Sequence, residues 1–113
     1  MSAKEKLAEK RNELRNLRKA IPDTFSGFVA MEQAASADGA LSKLQKEFIA
    51  LGIAVAMRCD ACIVSHSKAL ATLGASREQV AEVLGTAIQM SGGPGLMYAA
   101  KALDVFDEFT APE

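Results

Sequence analysis

The chain has 113 residues, half of them hydrophobic but only 5% aromatic, so we expect one small domain with an aliphatic core. Its 13 Lys and Arg nearly balance 14 Asp and Glu, which excludes the strongly basic surface of a typical nucleic-acid-binding protein. The only long apolar run, Phe48 to Met57, is far shorter than the roughly 20 residues of a membrane-spanning helix. The basic first 20 residues contain interleaved Glu residues and precede no apolar stretch, unlike a transit or signal peptide. We therefore expect a cytoplasmic protein that binds neither nucleic acid nor membrane.

Apolar residues recur at spacings of three and four along the chain, which predicts an all-α fold of about six helices. Residues 1–20 are predicted to form a charged N-terminal helix or arm, and residues 21–113 a single helical domain. The narrow apolar stripe of the arm is spaced for packing across a subunit boundary. A second helix is predicted to begin at Pro22 and to stop near Gly39. Its apolar face is predicted to contain Phe25, Phe28, Val29 and Met31.

Ser42 followed by Gln45 has the pattern of a capping box and predicts the start of a third helix, which we expect to be largely buried. One small domain can hardly cover such a helix, so we expect a homo-oligomer. The helical pattern breaks at residues 58–60, which indicates a kink or a reversal of the chain. Since neither proline nor glycine forces this break, one continuous helix remains the alternative.

A fourth helix is predicted to follow this break and to continue until Gly74. A second capping-box pattern, Ser76 with Gln79, predicts the start of a fifth helix. The stretch Gly92 to Gly95 predicts its end and the restart of a last helix. That last helix is predicted to direct five side chains inward: Leu96, Ala99, Ala100, Leu103 and Phe106.

Two cysteines and the only histidine of the chain lie close together in the sequence, as Cys59, Cys62 and His66. On a helix, Cys62 and His66 are four residues apart and share one face, so the imidazole can accept or return a thiol proton. Cys59 falls at or near the start of the helix, where backbone N–H groups favour a thiolate. This pattern predicts a redox cycle between a dithiol and a disulfide that needs no cofactor.

Glu47 can join these residues only if the chain reverses near residue 58. In one continuous helix it would lie about 28 Å from His66, at about 1.5 Å per residue. After a reversal the two side chains come level, and the carboxylate can orient the imidazole. The predicted catalytic residues are therefore Cys59, Cys62, His66 and Glu47.

Other functions fit the same residues. Cys59, Cys62 and His66 could bind zinc, with Glu47 or water as the fourth ligand, although a structural zinc site usually has a second pair of ligands. The cysteine pair could instead belong to a general disulfide reductase, or to a redox sensor in which the disulfide changes the oligomer. We expect no bound metal, since the predicted redox cycle requires free thiols.

The segments around these residues resemble the carboxymuconolactone decarboxylase family in its alkylhydroperoxidase D-like branch. The resemblance is carried by Glu47, by Cys59 twelve residues later and by Cys62 and His66, in the segments KEFIAL (46–51) and CDACIVSH (59–66). Residues 73–76 with Glu78 and the glycines at 92 and 93 also look like the family, so the match spans roughly residues 20–109. In one respect the chain departs from the well-known peroxidases, which have a second histidine at the position of Ala61.

This resemblance implies an all-helical subunit assembled into trimers or hexamers that reduces peroxides. Carried over to this chain, it implies that Cys62 attacks the peroxide, Cys59 resolves the product, His66 is the base and Glu47 orients it. The implied partners are a peroxide or disulfide substrate and a dithiol electron donor, which is a protein or a small molecule. The decarboxylase branch generally lacks the cysteine pair, which argues against a lactone acid as the substrate.

Overall fold

The computed structural model of the protein describes residues 1–112, which form five α-helices and no strand. Glu113, the last residue of the predicted helical domain, lies outside the described residues. The helices are α1 (Ala3–Ala20), α2 (Pro22–Ser36), α3 (Lys43–Ala56), α4 (Asp60–Thr72) and α5 (Arg77–Thr110). The predicted all-α fold is confirmed, and the last two of the six predicted helices are the two halves of α5.

Helix α5 folds back on itself at Gly92. A straight helix of 34 residues would be about 51 Å long, at about 1.5 Å per residue, whereas the longest dimension of the subunit is 38 Å. Gly92 has φ 70° and ψ −150°, which is not helical. Arg77, at one end of α5, donates from Nε to Oδ1 of Asp107, near the other end, at 2.9 Å. The two halves, residues 77–91 and 93–110, therefore form a helical hairpin.

Serine side chains fix the starts of three helices. Ser42 accepts from the backbone N–H of Gln45, and the Gln45 side chain accepts from the backbone N–H of Ser42, as the sequence predicted. Ser76 and Gln79 form the same reciprocal pair at the start of α5. A third capping box, Ser2 with Glu5, starts α1 and was not predicted. Each box satisfies backbone donors that have no partner within the helix.

The core lies where α3, α4 and α5 meet. Its largest fully buried apolar side chains are Phe106, Leu51, Ile63, Leu70, Val55, Val64 and Val80. Helix α1 contributes the buried Ala3, and Leu7 packs against the same cluster. Within residues 1–112, no helix combines the length and apolarity that a membrane crossing requires.

Two predictions of burial were wrong in the single subunit. Helix α3 buries Leu51, Ala54 and Val55, but Ile49 and Ile53 on its other face are about half exposed. No described residue of α2 is buried, and the last helix leaves Leu96 and Ala100 exposed. The physical reason is that a bundle of this size gives each helix neighbours on one side only. The uncovered sides are apolar.

We expect Gly92→Ala to destabilise the protein by about 1–3 kcal/mol, because the backbone angles of Gly92 are accessible essentially to glycine alone. Urea unfolding followed by circular dichroism measures this change in free energy. Gly93→Ala is the matched control, because a Cβ at Gly93 meets no atom within 4 Å and its φ is not positive. Equal stability of the two variants would contradict the hairpin.

Candidate active site

The chain reverses between α3 and α4 within three residues, 57–59. Arg58 adopts a positive φ of 57°, and its N–H donates to the carbonyl of Val55 at 3.1 Å. The N–H of Cys59 donates to the carbonyl of Ala54 at 3.0 Å. These two bonds form a Schellman motif, which closes α3 with Arg58 where glycine is the usual residue. The predicted reversal is confirmed, and the alternative of one continuous helix is wrong.

Cys59 also caps the N-terminus of α4. The backbone N–H of Cys62 donates to Sγ of Cys59 at 3.3 Å, in the position where a serine or aspartate oxygen commonly accepts. A disulfide joins Cys59 and Cys62, with their Cα atoms 5.2 Å apart. The two sulfurs thus lie in the first turn of α4, where the exposed N–H groups and the helix dipole stabilise negative charge. After reduction, this environment favours a thiolate.

Glu47 and His66 are in direct contact. Helix α4 runs back along α3, and Oε2 of Glu47 lies 2.6 Å from Nδ1 of His66. An ionised carboxylate can only accept, so Nδ1–H is the donor and Nε2 is left as the proton acceptor of the ring. The Glu47 side chain is 12% exposed and that of His66 26%, so the ring is partly open to solvent while the carboxylate is almost covered.

The four predicted residues form two pairs, the Cys59–Cys62 disulfide and the Glu47–His66 contact, and each pair includes a residue of α4. His66 follows Cys62 by one helical turn, so the imidazole and the disulfide share the helix. Among the described residues, no hydrogen bond joins either sulfur to the His66 ring in this oxidised form. Glu47 and His66 line a cleft of ≈ 390 Å³, whose wall is completed by residues of α2 such as Glu32, Gln33 and Ser36. No pattern in the sequence had indicated that α2 would reach this site.

A group of charges beside the disulfide was also missed. The carboxylate of Asp60, between the two cysteines, accepts from Nζ of Lys101 in α5 and lies 3.7 Å from Nζ of Lys6 in α1. The Lys101 hydrogen bond is the main cause that lowers the pKa of Asp60 below the usual carboxyl value. The sequence offered a hint only in the acidic residue inside the motif. No sequence pattern indicated the contact with Lys101, which lies 41 residues after Asp60.

The zinc alternative finds no support in this geometry. Within residues 1–112, no three His, Cys, Asp or Glu side chains lie together so that they could hold a metal ion. The sulfurs of Cys59 and Cys62 are bonded to each other, and a disulfide provides no thiolate ligand. A zinc form would therefore require reduction of this bond.

The chain is similar to known proteins both in its sequence and in its fold. The profile of the carboxymuconolactone decarboxylase family matches residues 22–105. An uncharacterised protein of Cupriavidus necator is 43% identical over 108 residues, which is 96% of each chain. Uncharacterised protein 4 of the cox locus of Paracoccus denitrificans is 40% identical over 81 residues, covering 72% of this chain and 73% of the other. A crystal structure of an apo carboxymuconolactone decarboxylase family protein from Legionella pneumophila superposes with a TM-score of 0.93 over 96% of both chains, at 45% identity.

We expect Asp60→Asn to lower the stability at neutral pH by about 1 kcal/mol or less, since the Asp60 side chain is 45% exposed and its ion pairs are screened. The native pKa lies below the ordinary value of 3.8, so the stabilisation is present above that pH and is lost as the pH falls through the native pKa. The difference between wild type and Asp60→Asn should therefore shrink below pH 3.8.

Urea unfolding at a series of pH values measures this difference. Asp23→Asn is the control, because Asp23 also lies in the first turn of a helix but forms no ion pair within the described residues. A stability difference for Asp60→Asn that persists unchanged well below pH 3.8 would show that the ion pairs are not its source.

Proposed function

Because the chain belongs to the carboxymuconolactone decarboxylase family, we propose that it is a thiol-dependent oxidoreductase of the alkylhydroperoxidase D-like branch. Its proposed reaction is the reduction of organic hydroperoxides by Cys59 and Cys62. The observation that carries this proposal is the arrangement of the cysteine pair and the histidine on one helix. Helix α4 holds the Cys59–Cys62 disulfide in its first turn and, one turn beyond Cys62, a histidine bound to a carboxylate.

The proposed reaction begins with the reduced pair. The Cys62 thiolate attacks the terminal oxygen of a hydroperoxide ROOH, the O–O bond breaks, and Cys62 becomes a sulfenic acid while the alkoxide takes a proton and leaves as ROH. The Cys59 thiolate then attacks the Cys62 sulfur, forming the disulfide and releasing hydroxide, which takes a proton to become water. Two thiols are oxidised and one peroxide is reduced. The Cys59–Cys62 disulfide of this structure corresponds to the oxidised state of the proposed cycle.

Glu47 and His66 provide the proton transfers. With Nδ1–H held by Glu47, Nε2 is free to accept the Cys62 proton, directly or through one water, and to return it to the leaving alkoxide. The imidazolium formed in between is stabilised by the adjacent carboxylate. His66 is the only histidine of the chain, and Ala61 occupies the position at which the well-known peroxidases have another. One imidazole must therefore serve both transfers.

A dithiol donor closes the cycle. Its thiolate attacks one sulfur of the Cys59–Cys62 disulfide, and its second thiol resolves the mixed disulfide, so the donor is oxidised and the cysteine pair is reduced. General disulfide reduction uses this same half-reaction. Turnover of a hydroperoxide, measured against turnover of a small disulfide, distinguishes the two functions. We propose that the protein is cytoplasmic, because dithiol donors are kept reduced in the cytoplasm.

We expect Cys62→Ser to abolish hydroperoxide turnover and Cys59→Ser to stop it after one peroxide per subunit, because a sulfenic acid then has no partner thiol. Glu47→Gln should lower kcat by about tenfold to a hundredfold, since the amide cannot stabilise the imidazolium. Glu32→Gln is the matched control, because Glu32 lines the same cleft without a hydrogen bond to His66. Full turnover of Cys62→Ser would refute the proposed function.

We also propose that the protein works as a homo-oligomer, a trimer or a hexamer. The subunit exposes 7274 Å², about 1,300 Å² more than the roughly 6,000 Å² expected of a compact monomer of its mass. A stable interface covers about 800 Å² on each partner. The most apolar cleft, ≈ 400 Å³ between α3 and the first half of α5, is bordered by the exposed Ile49, Ile53 and Met90. A second copy of the chain is the expected cover.

Light scattering on the purified protein tests this assembly. We expect a mass of at least three subunits, and Ile53→Asp, which places a charge in the cleft, should give a smaller species. Leu73→Asp is the control at an exposed leucine outside this cleft. A monomer at micromolar concentration would contradict the proposal. An oligomer that changes size between dithiothreitol and diamide, without peroxide turnover, would favour the redox sensor.

A further inference from the structure

A second cleft, ≈ 260 Å³ in volume, is lined by positive charge. It lies between α1, the start of α3 and α4, and each helix contributes one cation: Arg11, Lys43 and Lys68. Two hydroxyl side chains, Ser65 and Thr72, also line it, and no acidic residue does. The protein as a whole has a net charge of −1, so this concentration of positive charge is local.

Among residues 1–112, none of the three cations forms an ion pair, and Lys43 also lines the neighbouring cleft with Glu32 and Glu47. The ion pairs among residues 1–112 use Lys6, Lys10, His66, Arg77 and Lys101. None of them includes Arg11, Lys43 or Lys68. Three like charges directed at one cleft repel one another, and a bound anion would relieve that repulsion. A guanidinium on one side also offers the paired donors that suit a carboxylate.

This cation cleft adjoins the cleft of the proposed site. Lys43, Ser65 and Ala69 line both of them. On α4, Ala69 follows His66 by three residues and Cys62 by seven, so the border between the clefts lies on the helical face of the reactive residues. Leu7 and Leu73 add an apolar wall to the cation cleft. A molecule with an acidic group, a hydrocarbon part and a reactive group would match the cations, the apolar wall and the reactive residues in turn.

We propose that the substrate is an organic hydroperoxide that also bears a carboxylate, and that Arg11, Lys43 and Lys68 bind this carboxylate. The inference rests on the proposed function and specifies its substrate class. The reaction is the one described above, and the carboxylate takes no part in the electron transfer. This anion site would also give the charged N-terminal helix a role, since Arg11 lies outside the part of the chain that the family profile matches.

Linoleic acid hydroperoxide and its methyl ester form a matched pair of probes, because they differ only at the carboxyl group, which is charged in the acid and neutral in the ester. We expect the wild type to prefer the acid, and the double variant Arg11→Gln/Lys68→Gln to raise KM for the acid about tenfold or more. Its kcat, and both constants for the ester, should stay unchanged. Lys19→Gln is the control, because it removes a charge from α1 outside both clefts. Equal kcat/KM for acid and ester in the wild type, or an equal loss for both in the variant, would overturn the proposal.

Binding without turnover separates this inference from the proposed function. Calorimetric titration with octanoate and with 1-octanol needs no redox chemistry and is done on the oxidised protein. We expect octanoate to bind more tightly than 1-octanol, more weakly at high salt, and with its advantage lost in the double variant. If hydroperoxides are not reduced but octanoate shows this pattern, the proposed function fails while the anion site stands. If octanoate binds no better than 1-octanol, the anion site is wrong.

Discussion

The reversal of the chain at Arg58 is the constraint on which the rest of the site depends. A Schellman motif ends α3, and the next residue, Cys59, caps α4, so one residue belongs to both helix ends. The three connecting residues, 57–59, are all part of these caps, which restricts the position of α4. In a continuous helix Glu47 and His66 would be about 28 Å apart, whereas they are 2.6 Å apart here. The same turn that places the cysteines at a helix N-terminus therefore also brings Glu47 and His66 into contact.

Charged residues outside the cysteine motif connect the first turn of α4 to the remainder of the bundle. Asp60 stands between the two cysteines and would oppose a thiolate if its charge were not offset. Lys101 from α5 and Lys6 from α1 offset it, and they connect the first turn of α4 to the two ends of the chain. Near the same end of the bundle, Glu108 of α5 accepts from the backbone N–H of Ala3 at 3.3 Å. The N-terminal helix is thus part of the surroundings of the site and not a free arm.

Much of this could be predicted because the signals were local. The capping pairs at Ser42 and Ser76, and the break after Met57, involve residues three or four apart. Glu47 was predictable because the resemblance to a family placed it with the cysteines. The contacts of Asp60 with Lys101, and of α2 with the His66 cleft, depend on how helices pack, and no spacing in the sequence records them. Burial was overestimated for the same reason, since Ile49 and Ile53 lie on a face that this subunit alone does not cover.

One measurement tests the redox cycle most directly. The reduced protein is mixed with one equivalent of cumene hydroperoxide, its free thiols are counted, and the product is identified by mass spectrometry. The predicted result is the loss of two thiols per subunit, one equivalent of the alcohol, and a disulfide between Cys59 and Cys62. Thiols that persist while the hydroperoxide remains intact, or a disulfide formed only between subunits, would contradict the proposed peroxidase cycle.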